Sequence, residues 1–423
     1  MNVAWTRILL LLTCVAARSG FAAEPAQWPR WRGPADNGFA PAGPYPVELG
    51  PDQNVVWKIE LEGHGCSTPV VWDERIYVTS ESQKEDAVLA FDWSGKKLWE
   101  TRLGAHRAGK HRNGSGSNPS AVVDGQRIYV YYKSGRLAAL DLSGKELWQQ
   151  NIHTRFGKDT LYWDLGTSPV VTAENVVIAL MQHGNSTLAA FDKRTGELSW
   201  SVPRNFETPV EGDHSYATPI VVQHHGHEAI LVWGAERLSL HKAIDGSTLW
   251  SCSGFNPDGR RNWVAVASFV VVGDTAVVPY GRGSRLAGIR LGGTGDVTST
   301  HRLWTREDAG SFVPTPCSDG KQVVVVRDKG EVQAVDPRSG KTLWSGQLPK
   351  SSSKYYASPL LVGDTLYASR EDGKLMVASI GEDFRILAEN DMQERLVASP
   401  VALGGRLLIR GEKHLWAFER TRS

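Results

Sequence analysis

Flat aromatic rings and cations are the side chains whose recurrence in this 423-residue chain could do chemistry. They stand just upstream of a proline that returns every 41 to 50 residues. Reading back from each proline gives His64, Asn113, Trp163, Asp164, Asp213, His214, Tyr216, Asn262, Trp263, Phe312, Tyr355, Tyr356 and Arg395. Rings of this kind stack on planar or saccharide ligands, and cations hold carboxylates through charge-assisted hydrogen bonds. Trp163, Asp164, His214, Tyr216, Trp263, Tyr355, Tyr356 and Arg395 are therefore the expected ligand-binding set. A second group of loops adds Lys133, His183, Arg282, Arg327, Lys329, Arg370, Arg410 and Lys413 as a charged rim. The competing reading has the aromatics filling a channel mouth and the charges solvated. Aromatic plus Arg is also the composition of protein-binding hot spots.

Catalytic and metal signatures are missing. There is no Gly-x-Ser-x-Gly elbow and no His-Glu-x-x-His helix. Gly281-Arg282-Gly283 and Gly292-Gly293-Thr294-Gly295 read as turns, since neither joins a strand to a helix as a phosphate loop must. His224-His225-Gly226-His227 reads as a polar hairpin turn without a fourth ligand at useful spacing. The basic stretch His106–Arg112 reads as a solvated connection. No catalytic residue and no metal ligand is assigned.

The elements that must position these residues follow from the repeat. Pro69, Pro119, Pro169, Pro219, Pro316, Pro359 and Pro400, with Phe269 in the fifth place, mark eight units. Most units run from a β-branched strand through a second strand to a third that ends in Ala-x-Asp, at Asp92, Asp141, Asp192 and Asp336 among others. A Ser/Thr-Gly turn follows, then a strand closing on Trp99, Trp148, Trp200, Trp250, Trp304 or Trp344. The Asp carboxylate can accept from turn N–H groups while Gly supplies positive φ. Short alternating strands with tight turns predict four-stranded antiparallel meanders. Each Trp offers roughly 150–250 Å² to bury. At ~25 cal/mol per Å² that is at most about 4–6 kcal/mol, and the gap between neighbouring units is the place to gain it.

Unit eight stops near Ala417-Phe418-Glu419, with almost no chain left for a fourth strand. Asn54–Ile59, carrying Trp57, is an orphan fourth strand ahead of unit one. Its return to unit eight would close the ring and protect the exposed edges. The expected fold is all-β, an eight-bladed β-propeller of four-stranded antiparallel blades closed by this N-terminal strand.

Residues 1–23 read as an export signal: Arg7, an apolar run over Ile8–Ala17, and small residues at Gly20, Ala22 and Ala23. The run is shorter than the ~20 residues a bilayer span needs, so no span remains after cleavage. Thr13 before Cys14 makes a poor lipoprotein box. Residues 24–53 form an extension with the motif WPRWRGP, and residues 54–420 the propeller. The mature chain would hold 45 basic and 46 acidic residues, which excludes a dedicated nucleic-acid binder. Its three cysteines, Cys66, Cys252 and Cys317, allow at most one disulfide.

The Ala-x-Asp-x-x-(Ser/Thr)-Gly-x-x-x-Trp repeat resembles the tryptophan-docking motif of quinoprotein dehydrogenases and of BamB, an outer-membrane assembly lipoprotein. The resemblance covers residues 54–420, and Trp28–Pro34 with Gly38 resembles the opening of secreted PQQ-binding-like propellers. It implies the fold, because the motif itself does not hold a quinone. The adjacent cysteine pair that stacks on the quinone in those enzymes has no counterpart here. The expectation is an exported, periplasmic or secreted monomeric scaffold, without cofactor, binding a protein partner or an extended or anionic ligand at one channel mouth. One alternative is a dehydrogenase using pyrroloquinoline quinone (PQQ) and Ca²⁺, with Asp164 as base. The other is a polysaccharide-binding or lyase-like propeller, in which Tyr216 or His214 faces a sugar acid.

Overall fold

Short strands joined by tight turns can pair only with their neighbours in the chain, and this chain does so eight times. The computed structural model describes residues 27–381 and 383–421, so the predicted leader at 1–23 lies outside the described residues. Blade one is Val70–Trp72, Arg75–Ser82, Glu85–Asp92 and Lys97–Ala105, each antiparallel to the next. Seven further sheets repeat that order around a central channel, with the first strands of most neighbouring blades in contact. This is the eight-bladed propeller. Two blades gain a fifth, parallel strand: Gly295–Asp296 outside blade four, and Phe39–Ala40 against the first strand of blade seven. Among the described residues no helix is long and apolar enough to cross a membrane.

The orphan strand closes the ring as expected. Val55–Glu60 runs antiparallel to His414–Glu419, pairing Trp57 with Ala417 and Lys58 with Trp416. The last blade thus takes three strands from the C-terminus and one from the N-terminus, leaving its outer edge no different from the others.

The tryptophans lie in the seams. Trp57, Trp99, Trp148, Trp200 and Trp304 each donate the indole N–H to a carbonyl of the next blade's turn, at 3.0–3.3 Å. The turn is held ready by its Asp: Asp92 Oδ1 accepts from the Ser94 and Lys96 amides, and Asp141 Oδ1 from Ser143 and Lys145. The Ser94 and Ser143 hydroxyls foremost keep both carboxyls below their usual pKa. Glycine is required under the indole. A Cβ on Gly144, whose φ is +90°, would stand 2.5 Å from the Trp99 ring. Three seams depart from the pattern, the fourth strand of blade seven carrying Ile386 and Leu387 in place of a Trp. Trp250 is fully buried with its indole N–H unpartnered, and Trp344 bonds Gln322 and stacks on Phe384 at 5.9 Å.

A belt of hydroxyls ties the first strands together. The N–H of Thr68 donates to Ser120 Oγ, that of Ser120 to Ser168, and so on through Thr218, Ser268, Thr315 and Ser358, at 2.8–3.0 Å. These residues sit two positions before the first strand of each blade, so the second unit starts at Ser120, not at the Asn118-Pro119 pair chosen from sequence. The structural counterpart of Pro69 in that blade is Ala121.

Buried cations staple two further seams. Arg410 of blade eight, expected on the rim, is fully buried and donates to the carbonyls of Ser67 (3.1 Å) and Thr79 (2.8 Å) in blade one. Burial lowers its pKa to about 10. Arg204, at the end of blade three, donates to Val232, Gly234 and Arg237 carbonyls and to Ser239 Oγ in blade four. His241 accepts from the Ser239 hydroxyl at 2.8 Å and donates Nδ1–H to the Gly246 carbonyl at 2.9 Å. That geometry fits only the neutral imidazole, and desolvation, with Arg204 adding to it, lowers the pKa from 6.5 to about 4.

Two outcomes follow for stability. Gly184 has φ +84° and nothing within 4 Å of an added Cβ. Gly184→Ala should cost only the backbone penalty of about 1–2 kcal/mol, whereas Gly144→Ala adds about 1–3 kcal/mol of overpacking against Trp99, read by urea unfolding. For His241, the folded state prefers the unprotonated form. Its contribution is therefore intact above pH 6.5 and lost as pH falls from 6.5 to about 4, reaching about 3 kcal/mol. A pH series of melting temperatures should show that loss diminished in His241→Gln. An unchanged slope would remove His241 from the acid response.

Candidate functional site

The channel is blocked from one side by the chain's own N-terminal segment. Trp28 pairs with Val71 of blade one through two backbone bonds of 2.8 and 2.9 Å, and the Pro29 carbonyl accepts from Val123 of blade two. The Trp31 indole then donates to Ser399 Oγ of blade eight at 3.2 Å, where the hydroxyl relay has ended. Arg32, fully inside, donates to the Pro316 and Pro359 carbonyls, and the Asn37 and Gly38 carbonyls accept from Ser318 and Leu361. One short segment therefore bonds blades one, two, six, seven and eight. Gly38 has to be glycine, since a Cβ there would meet the Arg32 guanidinium at 1.8 Å. The WPRWRGP motif is the plug. The sequence shows the motif but not its place in the channel.

Above Trp31 remains a blind cup of about 380 Å³. Its wall combines belt hydroxyls (Ser120, Ser168, Thr315, Ser358) with His111, Trp163, Tyr216, Phe312, Tyr356 and Arg282. First-strand entry loops supply most of these, and the loop after the second strand of blade five supplies Arg282 at φ +55°, a strained value for a non-glycine residue. Arg282 lies 4.4 Å over the Phe312 ring and donates to the Asn262 carbonyl. Trp163 meets His111 edge-on at 5.3 Å and Tyr162 at 4.8 Å, and its own amide donates to Tyr216 Oη. Tyr162 is 60% exposed and Trp163 40%, so the rim beside blade three is an open aromatic surface.

Of the residues expected in the binding set, Trp163, Asp164, Tyr216 and Tyr356 line the cup. The other four do not. Tyr355 is buried within its blade, donating to the Pro349 carbonyl under the Arg370 guanidinium. His214 is buried near Asp213, and desolvation depresses its pKa. Trp263 is sandwiched by Arg260 and Arg285 at 5.3 and 5.2 Å, outside the cup. Arg395 sits behind the wall, donating to Asn113 Oδ1 at 2.7 Å. Trp31, His111, Asn118 and the belt hydroxyls complete the wall and were not foreseen as site residues.

Asp164 is engaged as a bracket. Its oxygens accept from the Lys110 and His111 amides at 2.8–2.9 Å and from the Lys133 ammonium, which also donates to the Ala108 carbonyl. Lys133, expected on the rim, is thus interior. The stretch His106–Arg112 is largely solvent-exposed, as expected of a connection, but it is anchored: His106 bonds Asp86 at 2.7 Å, Arg107 pairs with Asp159 and Arg112 with Glu371. Cys66, Cys252 and Cys317 are free. Cys66 lines the cup and donates to the Asn113 carbonyl, and burial pushes its thiol up to about 12.

A quinone with Ca²⁺ does not fit this wall. Its only carboxylate, Asp164, is already saturated by N–H donors, and among the described residues no three His, Cys, Asp or Glu side chains converge as a metal site.

Comparison with known proteins agrees with the architecture. The model of the family described as outer membrane protein assembly factor BamB matches residues 48–184, 88–346 and 328–422. Outer membrane protein assembly factor BamB of Moranella endobia is 26% identical over 357 residues, covering 82% of this chain and 84% of that protein. BamB from Moraxella catarrhalis superposes with a TM-score of 0.61 at 15% identity, over 86% of this chain and 99% of that one. Quinohemoprotein alcohol dehydrogenase from Comamonas testosteroni gives 0.67 at 14% identity, over 94% and 81%, a likeness of fold alone.

The bracket role of Asp164 can be measured. Lys133→Met should destabilise by about 3–5 kcal/mol, because it strands a buried carboxylate, and adding Asp164→Asn should recover at least about 1 kcal/mol of that. Strict additivity of the two substitutions in urea unfolding would show that the pair is not coupled.

Proposed function

The chain belongs to the family of outer membrane protein assembly factor BamB, and on that premise we propose that it is an exported, non-catalytic scaffold that docks a protein partner during outer-membrane protein assembly. The observation that carries this reading is the rim of the cup at blade three. Two large aromatics, Tyr162 and Trp163, stand open to solvent beside a channel that the chain has plugged itself. An exposed aromatic pair is costly to leave in water, and such residues supply most of the affinity where proteins dock. The inner carboxylate that a base-catalysed reaction would call on is consumed by Lys133 and two amides. In this reading residues 1–23 direct export to the periplasm, 24–53 are the extension carrying the plug, and 54–420 the propeller.

A photo-crosslinking residue placed at Tyr162 should, in intact cells, capture an outer-membrane assembly protein, while the same residue at the equatorial position Leu98 should not. Trp163→Ala should reduce the capture about tenfold or more, the loss expected of a hot-spot aromatic. Equal capture from both positions, or full capture by Trp163→Ala, would remove the rim as the docking surface.

A further inference from the structure

The wall of the cup is rich in hydrogen-bond donors, and its remaining acceptors are mainly the second lone pairs of hydroxyl oxygens. Ser120, Ser168, Thr315 and Ser358 each spend an oxygen lone pair on the N–H of the preceding blade, which leaves the hydroxyl proton to be given away. His111 Nδ1 accepts from the Asn113 amide at 3.1 Å, so the neutral ring carries its proton on Nε2. The Asn118 carbonyl oxygen is taken by Ser115, leaving the amide NH₂. The Tyr216 oxygen accepts from Trp163, leaving its proton, and Tyr356 adds a second phenol. Arg282 brings the one cation that is not already neutralised by a carboxylate. Against these, the single lining carboxylate is saturated by Lys133 and the Lys110 and His111 amides. Apolar surface comes from Trp31 below and from Trp163, Phe312, Val266, Val313 and Val397 around it.

We propose that the cup is a binding site for a monocarboxylate on a flat apolar body, held without a metal ion. A neutral sugar needs acceptors as well as donors, and the free carboxylates that usually supply them are absent from this wall. A phosphate or a polycarboxylate would bring more negative charge than the one guanidinium in this wall offsets. One carboxylate matches one guanidinium and a set of neutral O–H and N–H donors, while the rings take the apolar body. The site rests on the cup wall and goes beyond docking at the rim; Trp163 belongs to both, whereas Tyr162 takes no part in the cup.

The same chemistry has two sources, a free aromatic acid or the C-terminal residue of a chain. Titration of the full mature chain in the presence of EDTA, read by calorimetry and by Trp fluorescence, would use N-acetylphenylalanine, its amide, phenylacetate and an acetylated tripeptide ending in phenylalanine. The acid should bind at least about tenfold more tightly than the amide, since a hydrogen bond to a charged group contributes about 1.5–3 kcal/mol. Arg282→Gln should weaken the acid about tenfold and leave the amide unchanged, and Tyr356→Phe should weaken it by a smaller factor. Arg282 is exposed, its described contacts being the Phe312 ring and the Asn262 carbonyl, so both variants should stay folded with melting temperatures close to that of the parent. Tighter binding of the tripeptide supports a chain end as the ligand; equal binding of phenylacetate supports a free acid. Equal affinity for acid and amide, acid binding untouched by Arg282→Gln, or no binding at millimolar concentration would overturn the proposal. Loss of capture at Tyr162 would not, because that residue serves the rim alone.

Discussion

The ring rests chiefly on an indole lying across a glycine of the neighbouring blade, a contact made at five of its eight seams. A single blade cannot bury its two apolar faces alone, so each is stable only against its neighbours. The Trp supplies that contact on one side, and the Asp-braced turn presents a flat backbone on the other. Because the turn carries both the glycine and the carbonyl that accepts the indole N–H, packing and hydrogen bonding select the same geometry. A blade displaced by one position would lose both.

Closing such a ring demands that its last seam be packed as tightly as those between consecutive blades. The N-terminal strand brings Trp57 to blade eight, from which it docks on the turn of blade one like any other. The seam still differs inside. The hydroxyl relay ends at Ser358, and at that gap the Trp31 indole meets Ser399 while Arg410 reaches across to Ser67 and Thr79. Residues 27–60 therefore do two jobs, sealing the ring at its rim and blocking it at its axis.

The chemistry of the cup is a by-product of that construction. Amide-to-hydroxyl bonds that hold the first strands together turn their remaining O–H protons into donors around the axis. The plug converts a through-channel into a blind cavity, and the Asp164–Lys133 pair keeps the connection between blades one and two in place while withdrawing the only inner carboxylate from other use. An aromatic rim is left to face partners.

The repeat was legible because every blade must solve the same packing problem with the same residues. Asp92, Asp141, Trp99 and Trp148 announce turn and seam wherever they occur, and the missing fourth strand of unit eight demands Trp57. The site was half legible. Periodicity locates the loops at the mouth, so Trp163, Asp164, Tyr216 and Tyr356 could be placed there. It carries no information on which way an irregular loop turns its side chains. Tyr355 and Tyr356 are neighbours, yet one faces its own blade and the other the cup. Arg410 and Lys133 look like rim cations until the backbone carbonyls and the carboxylate that receive them are brought close by chains hundreds or tens of residues away. The sequence by itself determined blade number, seam chemistry and ring closure, since these rest on local spacing. Only the tertiary structure decided that WPRWRGP plugs the channel and that a donor-lined cup remains, because both depend on which distant strands surround the axis.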